Sequence, residues 1–147
     1  MILSLKELFV KDITNELFAY YKEQIMQLYN QLSYCNNVDN RTFIDFINRT
    51  TTFVYTNERM EIQGIISALY ERKMIHNGGL VCHIEDLVVD EKYRHKSIGK
   101  QLLEKIKEDA KKKCVYKIIL NCTEELTSYY EKCGFEKKNA QMALYFE

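Results

Sequence analysis

Apolar residues recur along this chain at two spacings, and the alternation between them marks the elements. Residues 2–10 alternate loosely, which predicts a first strand. Over residues 12–32 the apolar positions Leu17, Tyr20, Tyr21, Ile25, Leu28, Tyr29 and Leu32 recur at three and four. That period predicts an amphipathic helix, with Asp12 or Thr14 to cap it. Its tyrosines form a stripe at helical spacing, which packs more often than it stacks on a ligand. The run 36–40 is a loop by composition. A second helix over 40–49 is predicted to bury Phe43, Ile44 and Ile47. Residues 51–56 are β-branched and aromatic, hence a strand. Residues 57–59 turn the chain into a strand over 61–70, interrupted at Gly64. A linker over 74–79 ends in Gly78-Gly79, and residues 80–89 make the third strand of a meander. Beyond it come a helix over 97–112 and a strand over 116–122. A short helix over 125–132 follows, with Gly134 placed to end it, and a last strand over 141–146. The order predicts an α/β chain with a mixed, mostly antiparallel sheet and helices on both faces, one domain over residues 1–147.

Residues 83–100 stand out within this pattern. They begin as an apolar β-prone run with two adjacent acids, Glu85 and Asp86, set inside it. They continue as a basic, glycine-bearing loop, residues 94–100. The periodic helix then starts, with Ile98, Leu102, Leu103, Ile106 and Ala110 on one face. Strand, basic loop and helix in that order leave free N–H groups and a positive dipole end at one spot, which suits a phosphate. The unit is common in α/β proteins and alone identifies nothing. The acids add information. Neighbouring strand residues point to opposite faces, so at least one carboxylate meets the interior or a cleft. Burying it unpaired is costly, and a cationic ligand in a cleft removes that cost. The bland alternative is an ion pair with a neighbour such as Arg94.

Composition narrows the partners. The formal net charge is zero and 46% of residues are hydrophobic. This gives material for a core and no signature of bulk binding to nucleic acid or membrane. The only basic block, Lys111-Lys112-Lys113, falls at a helix end, where the dipole favours cations. Five cysteines, Cys35, Cys82, Cys114, Cys122 and Cys133, are odd in number and lack a Cys-x-x-Cys pair. They suggest free thiols in a reducing cytoplasm, with no disulfide framework and no metal site. Cys82 and Cys122, in apolar β-like runs, read as small hydrophobes. No leader peptide and no apolar run near ~20 residues is evident.

Four ordered motifs carry a resemblance. Arg94-x-x-Ser97-x-Gly99 resembles the pyrophosphate loop of the GNAT superfamily of acetyl-CoA-dependent N-acetyltransferases. Ile84-Glu85-Asp86-Leu87-Val88-Val89 is similar to the narrower family of glucosamine-6-phosphate N-acetyltransferases. So are Cys114-Val115-Tyr116-Lys117-Ile118-Ile119-Leu120-Asn121-Cys122 and Tyr129-Tyr130-Glu131-Lys132-Cys133-Gly134-Phe135. Lys73-Met74-Ile75-His76, ending nine residues before Glu85, also fits. The resemblance is clear over residues 64–134 and thins toward both ends.

The resemblance implies the GNAT fold and acetyl transfer from acetyl-CoA to the amine of glucosamine 6-phosphate, on the route to UDP-N-acetylglucosamine. A homodimer is implied too, with residues 73–79 as one segment a partner chain receives. The cofactor would lie on backbone from His95, Lys96, Ser97, Ile98, Gly99 and Lys100, with Arg94 and Lys96 adding charge. Tyr116, Lys117, Glu131 and Lys132 would also touch it. Glu85, or the Asp86 carbonyl through water, would take the proton of the substrate ammonium. Strand N–H groups of Leu87, Val88 and Val89 would stabilise an oxyanion. Tyr130 would donate to the departing thiolate, with Tyr129 in a packing position. Ser33, Lys73, Met74, Ile75, His76 and Asn121 join the acids and Leu87 around the sugar phosphate. The chain departs from the pattern at Asn121, where the family usually has an acid, and at Leu144 and Tyr145, where a base is usual. Ser97 also stands where glycine is usual in the superfamily.

Overall fold

The computed structural model describes residues 1–146. Five strands pair in the order β1-β2-β3-β4-β5. They are β1 (Ile2–Ser4), β2 (Thr51–Thr56), β3 (Ile62–Arg72), β4 (Leu80–Val89) and β5 (Lys117–Ile119). The first three pairings are antiparallel and β4–β5 is parallel. The helices are α1 (Leu5–Leu8), α2 (Asn15–Asn30), α3 (Asn40–Arg49), α4 (Ile75–Gly78), α5 (Ile98–Lys112) and α6 (Thr127–Lys132). Strand alternation splits the core in two. Val54, Ile65 and Val88 face α1, α2 and α3, where Leu5, Ile25, Leu28 and Phe43 are buried. Phe53, Ile66, Ile84 and Cys82 face α5, where Leu102, Leu103 and Ile106 are buried.

The mixed, mostly antiparallel sheet with helices on both faces is as the sequence predicts. Several details differ. The first strand stops at Ser4 because that residue starts a helix. Its hydroxyl accepts from the Glu7 N–H while the Glu7 carboxylate accepts from the Ser4 N–H, a reciprocal cap. Thr14 caps α2 rather than Asp12. Only the narrow stripe Tyr21, Ile25 and Leu28 of α2 is buried, so Leu17, Tyr20 and Leu32 stay exposed, as does Ile44 of α3. Gly64 does not interrupt β3; it pairs with Tyr55 on one side and Val89 on the other. A Cβ there would meet Ile98 at 3.0 Å and Leu102 at 3.2 Å, so the missing side chain lets α5 lie close on the sheet.

The last two predicted strands shrink or vanish. β5 ends at Ile119, short of the predicted Cys122, which leaves Asn121 and Cys122 exposed. Residues 141–146 form no strand. Met142 is 93% exposed and Tyr145 88%. Their alternation suits a strand, but a strand needs an edge to pair with. Gly134, at φ 95°, ends α6 as predicted, with the Phe135 N–H donating to the Tyr130 carbonyl.

Candidate active site

The β3–β4 register slips once. Ile65 pairs with Val88 and Ser67 with Glu85. Two residues of β4, Asp86 and Leu87, therefore oppose the single residue Ile66. This is a β-bulge, a device that re-aims side chains and recurs beside functional sites. Asp86 absorbs the bend at φ 49°. The slip has a visible consequence for the pattern. Ile84 and Leu87, three residues apart, both pack on the α5 side. Both acids are left exposed, and the expected split to opposite faces is overturned. Glu85 shares a rung with Ser67, and Asp86 lines a cleft under α2 and α3.

That cleft, about 340 Å³, is lined by Tyr29, Ser33, Tyr34 and Phe46 as well as Asp86. Its walls are largely apolar, and Asp86 is the one charged residue lining it among the described residues. Among the described residues neither Glu85 nor Asp86 forms an ion pair. Arg94 instead donates from Nε to the Val89 carbonyl at 3.2 Å. Neither carboxylate thus has an ion-pair partner among these residues, and Asp86 stands so at a cleft, the arrangement that attracts a cation.

On the other edge of β4 the ladder to β5 covers only Val81, Cys82 and His83. From Ile84 to Val89 the two strands no longer pair, which leaves a wedge with backbone groups of β4 free along it. An extended amide-bearing ligand can pair with such an edge. The wedge leads from the bulge toward the start of α5. There His95 and Ser97 adopt left-handed backbone, φ 66° and 61°. Ser97 makes no side-chain cap, so the first N–H groups of α5 stay available. Arg94, His95, Lys96 and Lys100 are exposed around them. A Cβ on Gly99 would meet the Tyr129 hydroxyl at 2.9 Å and Val89 Cγ2 at 3.6 Å. The turn is therefore a cradle in which a side chain at position 99 would displace the Tyr129 hydroxyl, and the residues present fit a diphosphate.

α6 brings two phenols to the wedge. Tyr130 is partly buried on the α5 side, edge-on to Tyr129 (5.1 Å) and to Phe135 (6.0 Å). Burial, then the neighbouring Tyr129, pushes its pKa up to about 12, so it stays a proton carrier. Tyr129, read as a packing residue, is 37% exposed, and its hydroxyl reaches the α5 start. Glu131 and Lys132 are exposed on α6.

The remaining predicted site residues fall in a second place. Ser67 pairs with Glu85 and Arg72 with Leu80. Lys73 thus lies about six residues beyond Ser67, roughly 20 Å from the acids. It pairs with Glu71 at 3.0 Å. His76 stacks on Tyr116 with ring centres 4.1 Å apart, and Lys117 lies over the same ring. Lys117 pairs with Val81, about eight residues before Val89, so Tyr116 and Lys117 sit roughly 25 Å from the 94–100 turn. Tyr116 and Lys117, which the resemblance assigns to the cofactor, thus lie away from that turn in this chain. They group instead with Lys73, His76 and the exposed Met74 and Ile75 at the hairpin end. Parallel pairing of β5 to the first residues of β4 is the cause. Tyr29 and Phe46 of the cleft were missed, because their apolar spacing in the sequence is that of ordinary core.

Comparisons with known proteins agree on one group. A family model described as an acetyltransferase (GNAT) domain matches residues 11–143. Glucosamine 6-phosphate N-acetyltransferase 1 of Oryza sativa subsp. japonica is 48% identical over 80 residues, 54% of this chain and 48% of that protein. Glucosamine 6-phosphate N-acetyltransferase 1 of Dictyostelium discoideum is 34% identical over 129 residues, 86% of this chain and 74% of that protein. The crystal structure of glucosamine-6-phosphate N-acetyltransferase from Arabidopsis thaliana superposes with a TM-score of 0.84 at 28% identity, covering 100% of this chain and 98% of that one. The chain spans about half the length of the plant relatives it matches in sequence.

Proposed function

Because the chain belongs to the GNAT acetyltransferase family, we propose that it transfers the acetyl group of acetyl-CoA to the amine of D-glucosamine 6-phosphate by direct attack in a ternary complex. The observation that carries this is the bulge at Asp86. It leaves two acids without ion pairs among the described residues, one of them lining a cleft, on the strand whose open edge leads toward the start of α5.

Bound acetyl-CoA supplies the acetyl group as a thioester. The protein's own residues do the rest. Gly99, Lys100 and their neighbours hold the diphosphate on backbone N–H groups, with charge from Arg94 and Lys96. Leu87, Val88 and Val89 offer strand N–H groups where negative charge grows on oxygen. Glu85 and Asp86 attract the ammonium, and Glu85 takes its proton, directly or through water. Tyr130 returns a proton to the leaving sulfur. Asn121 is no base, which leaves the proton transfer to Glu85.

The sugar phosphate needs cations, and Lys73 and His76 are too far away in the same chain. We place them in the cleft of a second copy, so that the working unit is a homodimer. Two exposed apolar segments support it: Met74 with Ile75 at the hairpin end, and Met142, Leu144, Tyr145 and Phe146 in the tail. Five free cysteines fit a cytoplasmic setting. No helix among the described residues is long and apolar enough to cross a membrane.

The test is acetyl-CoA consumption with glucosamine 6-phosphate, free glucosamine and a peptide amine side by side. Turnover is expected to be fastest with the phosphorylated sugar. Equal rates for phosphorylated and free sugar would remove the proposed substrate. The cofactor cradle has its own check. Gly99→Ala forces the Tyr129 hydroxyl or the α5 start to move, and a misplacement near 1 Å can cost up to roughly a hundredfold. The expected result is a raised KM for acetyl-CoA with the KM for the amine unchanged.

A further inference from the structure

Four hydroxyls form a chain under the cleft that the acetyl-transfer reading does not use. Thr50 Oγ1 donates to the Phe46 carbonyl at 2.9 Å. Thr50 Oγ1 lies 2.7 Å from Thr52 Oγ1, and Thr52 Oγ1 lies 2.8 Å from Ser67 Oγ. Ser67 Oγ lies 3.3 Å from the Tyr29 phenol oxygen. Thr52 and Ser67 are 3% and 2% exposed, shielded from bulk water.

Each hydroxyl carries one proton. The Phe46 carbonyl is acceptor only, so it takes the proton of Thr50. Thr50 can then only accept from Thr52. Thr52, its proton used, can only accept from Ser67. Ser67 in turn can only accept from Tyr29. One carbonyl at the far end fixes the direction of every bond in the row. Tyr29 has no proton left to offer, and its free lone pair belongs to the cleft that it lines with Asp86. Burial pushes the Tyr29 pKa up, the Ser67 hydrogen bond offsets part of the rise and the nearby Asp86 charge adds to it, so the phenol does not ionise near neutrality.

We propose that Tyr29 is a positioning residue for the acceptor amine, presenting a phenol oxygen that the Ser67–Thr52–Thr50 row has locked as a hydrogen-bond acceptor. The proposal rests on the acetyl-transfer reading and adds a source of selectivity to it. Ser67 shares a rung with Glu85, so the oxygen stands next to the bulge where the nitrogen must lie. An amine brings N–H donors to it. A ligand lacking a donor at that carbon leaves it unmatched.

The test compares glucosamine 6-phosphate with 2-deoxyglucose 6-phosphate, which carries no donor at that carbon, as a competitive inhibitor. Tyr29→Phe keeps the ring and its packing. It is expected to raise the KM for glucosamine 6-phosphate roughly tenfold or more. The Ki of the deoxy sugar and the KM for acetyl-CoA should stay unchanged. Thr50→Val removes the group that sets the direction and frees the row to reverse, turning Tyr29 into a donor. It is expected to raise the same KM, again without moving the deoxy sugar, a result that a packing role for Tyr29 does not give. Equal weakening of both sugars, or no change in either variant with the wild type active, overturns the assignment alone. A wild type inert toward every amine overturns the acetyl-transfer reading and this assignment with it.

Discussion

Replacing Tyr130 with phenylalanine is expected to lower kcat by roughly a hundredfold while the KM for acetyl-CoA changes little. A positioned proton donor is worth about 10²–10⁴ in rate, and the ring, which holds the packing against Tyr129 and Phe135, is retained. A loss in kcat at constant KM marks an interaction made only as the bond breaks. Steady-state kinetics on the purified variant check it. An unchanged kcat would transfer the role to another group, and Tyr129, whose hydroxyl reaches Gly99, is next in line. The pKa gives a second readout. Burial holds the folded phenol at about 12 against an ordinary 10. A raised folded pKa stabilises fully below the unfolded value and ceases to do so as pH rises through the folded one. Wild-type stability should therefore fall between pH 10 and about 12, and Tyr130→Phe should flatten part of that slope. For the same reason Tyr130 should cause no loss of kcat below pH 10.

Leu103→Ala is expected to be the costlier change for the fold, at about 2–5 kcal/mol. Leu103 is wholly buried in the α5 face of the core, beside Leu102 and Ile106. Truncating it leaves a cavity between the helix and the sheet that rigid neighbours fill only in part. Urea unfolding should show a lower midpoint at unchanged slope. Because the first turn of α5 is also the proposed diphosphate cradle, saturating CoA should recover part of the loss by mass action. Recovery with CoA but not with glucosamine 6-phosphate alone would tie the cofactor to that helix. A loss below ~1 kcal/mol would mean that the α5 face repacks, against the close packing typical of such cores.

Much of the architecture was legible in the residues. Thr51–Thr56, Leu80–Val89 and α5 announce themselves because period and side-chain branching agree with the final burial. The cradle was legible for the same reason: free N–H groups, glycine and basic side chains are consecutive in the chain. Asp86 was legible as an acid out of place, but the bulge was not. Its existence depends on which residue of β3 lies opposite, and β3 starts more than twenty residues earlier. That Tyr116 and Lys117 lie at the hairpin end was not legible, because their partner on β4 was unknown. Tyr29 was read as packing, since its neighbours along the helix look like core and the Ser67–Thr52–Thr50 row joins three separate segments.

By itself, then, the sequence determined the main strands and helices and brought together the adjacent residues of the candidate cradle, because local geometry and hydrophobic period are properties of short segments. Only the tertiary structure decided where Asp86 bends, which end of the sheet takes Lys73, His76, Tyr116 and Lys117, and which way the buried hydroxyls donate. Each of these is a register between distant strands, and register is set by packing and hydrogen bonds that no short stretch of chain contains.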